Sequence, residues 1–585
     1  MDEDFSWTQK LIIIFLLIGP VIFPLFKPGY YPSHDGTAHL FRTVELSKMV
    51  ESGEFPVRWA ANFNFGFGAP TFNFYMPLFY YLASFAHWAG LGYFGAIKSV
   101  IILGFGLSAA GMFLLCREIW SGTRLRPAER GYGEVNNWAG PPRLARESGE
   151  AGIIGAFAYI YIPYRFVDAY VRGAYSEFLV LSLFPWVFFG FLKLAATGKL
   201  WFFYLASFSL AAGVLAHNFL SLFLLIFLVG YLLVMIARGN LPKRHFRKVG
   251  LSILLGLGLS AFFWLPAFFE RGYLKTDLST LVDYRDHFVT LGQLWNSPWG
   301  YGSSLPGTAS DGMSFQIGKI QLILALLVCF LVFPRLSKIQ RVQVTFFTLA
   351  TIVFIFLVLP YSDFVWQKMF SQLPWRFLGF ASFSLAVLVS GIFHLLRREK
   401  LLLFIVIGVL LIFNIRMARP SSYLTQESDR IFESMRATTS WREQEFVPRW
   451  INSSPTKVAS ARLEGEGEIK EMKNLPTKYR FWVNSVQKQK WHLNIFYFPG
   501  WQAWVDGQKA KIEIGSNGTM DFEVPVGQHE IKAEFGRTKL RLAADLVSLG
   551  SFLFLVGGVA WSMKRSMTHE LGIKLKSIIY RICSR

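Results

Sequence analysis

Cysteine is nearly absent from this chain. Cys116, Cys329 and Cys583 are the only three in 585 residues. All fall in or beside apolar or basic segments, so neither a disulfide framework nor a thiolate metal cluster can be argued from them. Charge is scarce as well: 17% of residues are charged against 53% hydrophobic and 17% aromatic, a balance that fits a multi-span membrane protein far better than a soluble one. No His-Glu-x-x-His sequence is present, and His34 and His39 are spaced so that their rings would not share a helix face, which argues against zinc proteolysis. No internal repeat or low-complexity tract stands out.

What is abundant is apolar length and positive charge, and the two alternate. Runs near the length needed to cross a roughly 30 Å hydrocarbon core occur at 11–27, 97–116, 152–167, 178–197, 201–216, 219–237, 249–268, 318–334, 343–360, 377–396, 401–415 and 541–562. They predict about twelve transmembrane helices. The formal charge of +21 lies mostly in short connections: Arg124, Arg126, Arg130, Arg143 and Arg146; Lys243, Arg244, Arg247 and Lys248; Arg335, Lys338 and Arg341; Arg397, Arg398 and Lys400; then Lys564, Arg565, Lys574, Lys576 and Arg581. Short basic loops mark the cytoplasmic side, which accounts for the excess without nucleic acid as a partner.

The stretch "PTFNFYMPLFYYLASFAHWAGLG" (70–92) resists simple counting, because a crossing there would put the basic loop 117–150 opposite every other. Its Phe, Tyr and Trp content suits an interfacial segment. Parity then makes both termini of a multi-pass plasma-membrane protein cytoplasmic. The first run, "LIIIFLLIGPVIFPLF", reads as a retained helix since no small-residue cleavage site follows. The expected organisation is a transmembrane domain over 1–415 with a first outer loop at 28–96, a module over 416–540, a final crossing at 541–562 and a basic tail at 563–585. The module alternates apolar and polar residues between turn signals at Pro499-Gly500, Asp506-Gly507, Asn517-Gly518 and Val526-Gly527. It reads as a small antiparallel β domain outside the membrane.

The same parity gathers ionisable helix ends on the outer face. In "SHDGTAHLFRTVE" (33–45), a helix from Asp35 would carry Asp35, His39 and Arg42 on one side. Either Asp35 caps that helix with His39 and Arg42 solvated, or a carboxylate sits beside cationic donors, suited to general-base work or to a metal. "YVRGAYSEFLVLSLFPW" (170–186) offers Arg172 and Glu177. A Glu at a helix start is favoured by the dipole, while an Arg beside it could bind phosphate in a bidentate fork. His217 and Asn218 in "LAHNF" occupy a tight hairpin, Glu270 in "WLPAFFERGYLKTD" ends another run, and "LPWRFLGF" sets Trp375 and Arg376 at a helix mouth as interface anchor or phosphate clamp. Jointly they describe a cavity suited to a lipid-linked phosphosugar: tail between helices, phosphate on Arg, sugar against aromatic faces near the carboxylates.

The Asp in the first outer loop, "ESGEFPVRW", the proline-containing aromatic segment and a second acid at the next outer loop resemble the GT-C superfamily, membrane glycosyltransferases that use polyprenyl-phosphate sugars. Within it, "SHDGTAHLFR", "RGAYSEFL", "LAHN", "LPWRF" and "FYFPGWQAWVDG…VPVGQHEI" are similar to the integral-membrane family labelled 6-pyruvoyl-tetrahydropterin-synthase-related. The last motif is similar to one in bacterial membrane proteins implicated in glycosylating cell-wall polymers. The resemblance implies that Asp35 is the first-loop catalytic acid and Glu177 the second. Since the superfamily's second acid is often Asp, Asp168 competes for that role. The pterin label implies zinc chemistry for which no ligand set is present.

The expectation is therefore a GT-C-like polytopic α-helical membrane protein with an extracytoplasmic β domain before its last helix. It would transfer sugar from a polyprenyl-phosphate donor to a glycan, lipid or protein acceptor. Asp35 and Glu177 would be catalytic, and His34, His39, Arg42, Arg172, His217, Asn218, Glu270, Trp375 and Arg376 would bind substrate. A divalent Mg or Mn ion on Asp35 is an open addition. A transporter or flippase is the rival and predicts ionisable groups near the bilayer midplane and broken helices. A third reading is a scaffold whose β domain binds carbohydrate or directs assembly.

Overall fold

A computed structural model describes residues 17–121, 142–275, 283–307, 311–369, 372–395, 400–424, 446–472 and 474–583. Arg124, Arg126, Arg130, Arg397 and Arg398 of the basic loops lie outside the described residues. Among those described, six helices are long and apolar enough to cross a membrane: Tyr93–Trp120, Tyr175–Thr197, Asn218–Ala237, Lys338–Val358, Pro374–His394 and Lys539–Lys564. A pair bent by 74°, Lys243–Leu259 and Ala261–Phe269, raises the count to seven.

The remaining runs read as crossings are shorter or interrupted helices among the described residues, so six or seven of the expected twelve meet the crossing length there. Over the described residues Leu17–Phe26, Gly149–Ile160, Leu200–Ala216 and Leu401–Met417 are apolar helices of ten to seventeen residues. The run at 318–334 is a helix only to Leu327, then a π-turn over Val328–Val332 and a 3-10 turn at Phe333–Arg335. An apolar run of ten to seventeen residues does not distinguish a buried helix from a spanning one. Residues 70–92 form two short helices, Thr71–Phe74 and Leu78–Trp88, too short to cross. The final helix runs unbroken from Lys539 to Cys583, so the basic tail continues the last crossing rather than starting a separate element.

Burial separates centre from rim. The apolar windows of Pro374–His394 and Tyr175–Thr197 are 94% and 83% buried, that of Lys539–Lys564 only 11%. The two central helices meet through aromatic rings: Phe184 packs 4.8 Å from Phe380, and Phe188 lies 5.0 Å from both Phe227 and Phe383. The last helix instead exposes Leu546, Leu549, Phe552, Leu553 and Phe554, a surface suited to lipid.

The β module is a two-sheet arrangement. Its strands are β1 (Leu463–Glu464), β2 (Gly467–Glu471), β3 (Lys478–Ser485), β4 (Gln489–Phe496), β5 (Trp501–Val505), β6 (Gln508–Ala510), β7 (Glu513–Ile514), β8 (Thr519–Val524) and β9 (Gly527–Phe535). One sheet has the order β1-β4-β8-β7 and the other β2-β3-β9-β5-β6, antiparallel throughout. Asp506 and Gly507 join β5 to β6 with φ of 48° and 76°, the left-handed pair that a tight hairpin requires. The module docks on the 28–92 region: Trp501 meets Trp59 edge-on at 5.6 Å, and the Phe496 amide donates to the Phe67 carbonyl at 2.9 Å.

Candidate functional site

The site begins with an irregular turn. Residues Val167–Arg172 form a π-turn, a local insertion common at functional positions. It ends at Gly173 with φ of +64°, a conformation glycine adopts without strain. A side chain there would also lie 3.0 Å from the Gly36 nitrogen. That close approach lets the segment before helix Gly36–Glu51 dock on the turn: the His34 amide donates to the Val171 carbonyl at 3.1 Å and the Asp35 amide to the Arg172 carbonyl at 2.7 Å. Asp35 and Arg172, remote in sequence, become neighbours through the backbone.

Asp35 takes the N-cap position of Gly36–Glu51, yet its side chain makes no capping hydrogen bond. The residue is half-buried, and among the described residues its carboxylate has no hydrogen-bond or ion-pair partner. Arg172 is buried and its Nη1 reaches both Asp168 Oδ1 (2.6 Å) and Glu177 Oε2 (3.0 Å). Glu177 Oε1 accepts from the Tyr164 hydroxyl at 2.6 Å, and its Oε2 lies 3.4 Å from Arg376 Nε. Arg376 keeps 21% of its side chain exposed. The Arg172 guanidinium lies 4.3 Å from the Trp375 ring centre. Three acids and two arginines thus sit around one aromatic wall, and only Asp35 and Arg376 remain partly open.

Other predicted residues frame this centre. His34 Nε2 is 3.1 Å from the Tyr301 carbonyl, and burial, with the Arg172 cation adding to it, pushes its imidazole below the usual range. His39 and Arg42 are not solvated, which corrects the simple capping picture. Both are buried; His39 Nδ1 lies 2.8 Å from the Tyr80 hydroxyl and Arg42 stacks 4.0 Å from the Tyr75 ring centre. Burial first, and then Arg42 and Arg172, push the His39 imidazole well below its ordinary value. Residue 217 caps helix Asn218–Ala237, its Nδ1 accepting from the Leu220 amide. Burial and Arg376 push the His217 imidazole down to about 3. Asn218 Oδ1 accepts from the Phe219 amide.

Glu270 belongs elsewhere. It accepts from Asn73 Nδ2 (2.8 Å), Thr538 Oγ1 (3.1 Å) and Arg541 Nε (3.0 Å), tying the end of the bent pair to the start of the last helix. Asp545 completes that knot at 2.6 Å from Arg58. Its partners give Glu270 a structural task there.

Sequence reasoning missed the ribbon that packs on His34 and Trp375. Residues 297–307 pair with residues 311–317: the Gly302 amide donates to the Gly312 carbonyl, Tyr301 bridges Met313, and a side chain at Gly302 would lie 2.9 Å from the Gly312 Cα. The ribbon presents Tyr301 to His34 and packs Phe315 6.1 Å from Trp375. Its signal was the glycine and aromatic spacing of "SPWGYG" and "DGMSF". Tyr164, the partner of Glu177, carried no signal beyond its place in an aromatic run.

No three His, Cys, Asp or Glu side chains gather as a metal site among the described residues. No family matches the chain and no curated protein sequence does. Among solved structures, the chain is similar to the arabinofuranosyltransferase AftD from Mycobacteria, with 13% identity, a TM-score of 0.44, and coverage of 71% of this chain and 27% of that one. It is also similar to ArnT from Cupriavidus metallidurans, with 12% identity, a TM-score of 0.39, and coverage of 69% and 62%. The chain spans under two thirds of the length of either. Likeness at this level carries no argument about activity, which rests on the site itself.

Proposed function

We propose that this protein is a membrane glycosyltransferase of GT-C type that moves a sugar from a polyprenyl-phosphate donor to an acceptor hydroxyl at the extracytoplasmic face. The observation that carries the reading is the half-buried Asp35 carboxylate, without a hydrogen-bond or ion-pair partner among the described residues, beside buried Arg172 and Glu177 and the partly open Arg376. Asp35 takes the proton of the acceptor hydroxyl as its oxygen forms the new bond to the anomeric carbon. The bond from that carbon to the phosphate oxygen breaks, and the departing phosphate is stabilised by Arg376, the cation with open surface. Arg172, shared by Asp168 and Glu177, positions Glu177, which in turn orients Arg376. This gives both candidate second acids a supporting role and leaves Asp35 as the base. His34 and Trp375 line the sugar side, with Arg42, His39, His217 and Asn218 behind them; Glu270 supports the framework. The acceptor is a glycan, lipid or protein, and both termini lie in the cytoplasm.

A Mg or Mn ion on Asp35 would have one protein ligand and would draw the rest from donor phosphate and water. Such an ion would supply charge neutralisation for the donor. Replacing Asp35 with Asn in protein reconstituted with a polyprenyl-phosphate sugar tests the reading: unchanged sugar transfer would defeat it.

A transporter or flippase is favoured by different observations, the 74° bend between Leu259 and Ala261 and the wholly buried Arg165, bonded to Ser108, Ser182 and the Phe178 carbonyl, since broken helices and intramembrane charge mark solute paths. Movement of labelled polyprenyl-phosphate sugar across vesicles without sugar release would select it.

A further inference from the structure

The five-stranded sheet buries Tyr479, Phe481, Val483, Ile531 and Ala533 on one side and leaves the alternate residues of β3 in solvent. Register orders that outer face. Trp482 stands across from Lys470 on β2 and Glu530 on β9, while Trp504 stands across from Lys532 on β9 and Lys509 on β6. Only β9 separates the two tryptophans, which are offset by one row, so strand spacing and rise put them roughly 12 Å apart. Trp482 is 45% exposed, and Lys532 Nζ sits 4.9 Å from the Trp504 ring centre. Asn484 and Gln528, directly opposed and exposed, continue the face beyond Trp482.

Two separated indoles with amides and charges between them do not make the contiguous apolar core of a stable protein interface. They suit a ligand that is itself alternately apolar and polar. A sugar ring offers a C–H face to the negative face of an indole and hydroxyls at its rim to amides and charges. Charge then selects among sugars. On this face Lys470, Lys478, Arg480, Lys509 and Lys532 outnumber the acids Glu468, Glu530 and Glu534, and such an excess favours an anionic partner.

We infer that the outer face of the β2-β3-β9-β5-β6 sheet binds an anionic sugar polymer, with rings on Trp482 and Trp504 and acidic substituents on Arg480 and Lys470. The inference is independent of the chemistry assigned to Asp35.

The test uses full-length protein immobilised from detergent, with three probes: polygalacturonate, neutral dextran and polyglutamate. Polygalacturonate binds tightest. Trp482→Ala and Trp504→Ala each weaken it by roughly tenfold, the worth of one well-placed aromatic contact, and Trp482→Phe keeps most of the affinity. Arg480→Gln weakens polygalacturonate and leaves dextran unchanged. Trp482 is exposed, so its replacement leaves the thermal midpoint in place; should Trp504→Ala lose the fold, Trp482→Ala and Arg480→Gln decide alone. Polyglutamate binding as tightly as polygalacturonate, dextran doing so, or Trp482→Ala binding unchanged would each overturn the inference.

Discussion

Around Glu270 each buried acid is ion-paired; around Glu177 one acid, Asp35, is not. In the first cluster Glu270 meets Arg541 at 2.9 Å and Asp545 meets Arg58 at 2.6 Å, with Asn73 and Thr538 filling further acceptor sites on Glu270. In the second, Arg172 and Arg376 hold Glu177 and Arg172 also pairs with Asp168, while Asp35 stays half-open without a hydrogen-bond or ion-pair partner among the described residues. Both clusters are charged and at helix ends, so burial and charge alone do not mark a site. A closed set of pairs fastens the elements that supply it, here the bent pair and the last helix. An acid left over, facing solvent beside fixed cations, is available to something that is not protein.

The largest effect is expected at the leftover acid. Asp35→Asn keeps the side-chain shape and removes the base, so transfer by reconstituted protein falls roughly 10²–10⁴-fold while the thermal midpoint hardly moves. Wild-type turnover from this variant would erase the distinction between the clusters.

The reverse is expected of the knot. Glu270→Gln leaves Arg541 buried against a neutral amide, and breaking a buried ion pair costs about 3–5 kcal/mol, read as a lower unfolding midpoint in detergent. Joining it to Arg541→Met restores part of the loss, because no unmatched charge then remains. A Glu270→Gln protein with full stability and no turnover would move Glu270 back among the substrate-binding residues.

Arg376 sharpens the contrast within the site. Arg376→Ala removes the open cation and lowers transfer roughly 10²-fold; Arg376→Lys restores charge without the bidentate fork and recovers only part of it. Single-turnover rates at saturating donor separate this effect from weaker binding. If Lys proved equal to Arg, a point charge would suffice and the fork geometry would carry no weight.

Much of this site was legible in the sequence because its parts sit at helix starts. Asp35, Glu177 and Arg376 each adjoin an apolar run, so period and run length pointed to them. The roles were not legible. Arg172 read as a phosphate fork, but a six-residue π-turn, invisible to periodicity, turns it onto Asp168 and Glu177. That His39 and Arg42 are buried, the alternative to a solvated pair, was not legible because Tyr75 and Tyr80 reach them only through tertiary packing. Glu270 read like its neighbours until the last helix, remote in the chain, delivered Arg541. The β module was the easier part: alternation and the Asp506-Gly507 turn are local signals, and its strands run from 463 to 535 within the expected 416–540.

The smallest effect is expected where a charge pair is neither buried nor left over. His529 Nδ1 lies 2.6 Å from Asp506 Oδ2 across the β5–β9 pairing, with 52% of the Asp506 side chain exposed. The hydrogen bond to Asp506 raises the His529 imidazole, and the same bond, with the Glu530 amide, lowers the Asp506 carboxyl. The contribution from His529 is fully present below the unfolded imidazole value near about 6.5 and is lost as pH rises through its raised folded value. That from Asp506 is present above about 3.9 and is lost as pH falls through its depressed folded value. Exposure and salt limit the pair to less than about 1 kcal/mol, so the margin by which the wild-type unfolding midpoint exceeds that of His529→Gln should shrink slightly from pH 6 to pH 8. A pH slope of the midpoint that survived His529→Gln would have to come from histidines elsewhere. The His34 and His39 imidazoles are pushed below their ordinary value in the folded site and contribute with the opposite sign, stability rising with pH through the unfolded imidazole range. The two groups of histidines can therefore be told apart by direction alone.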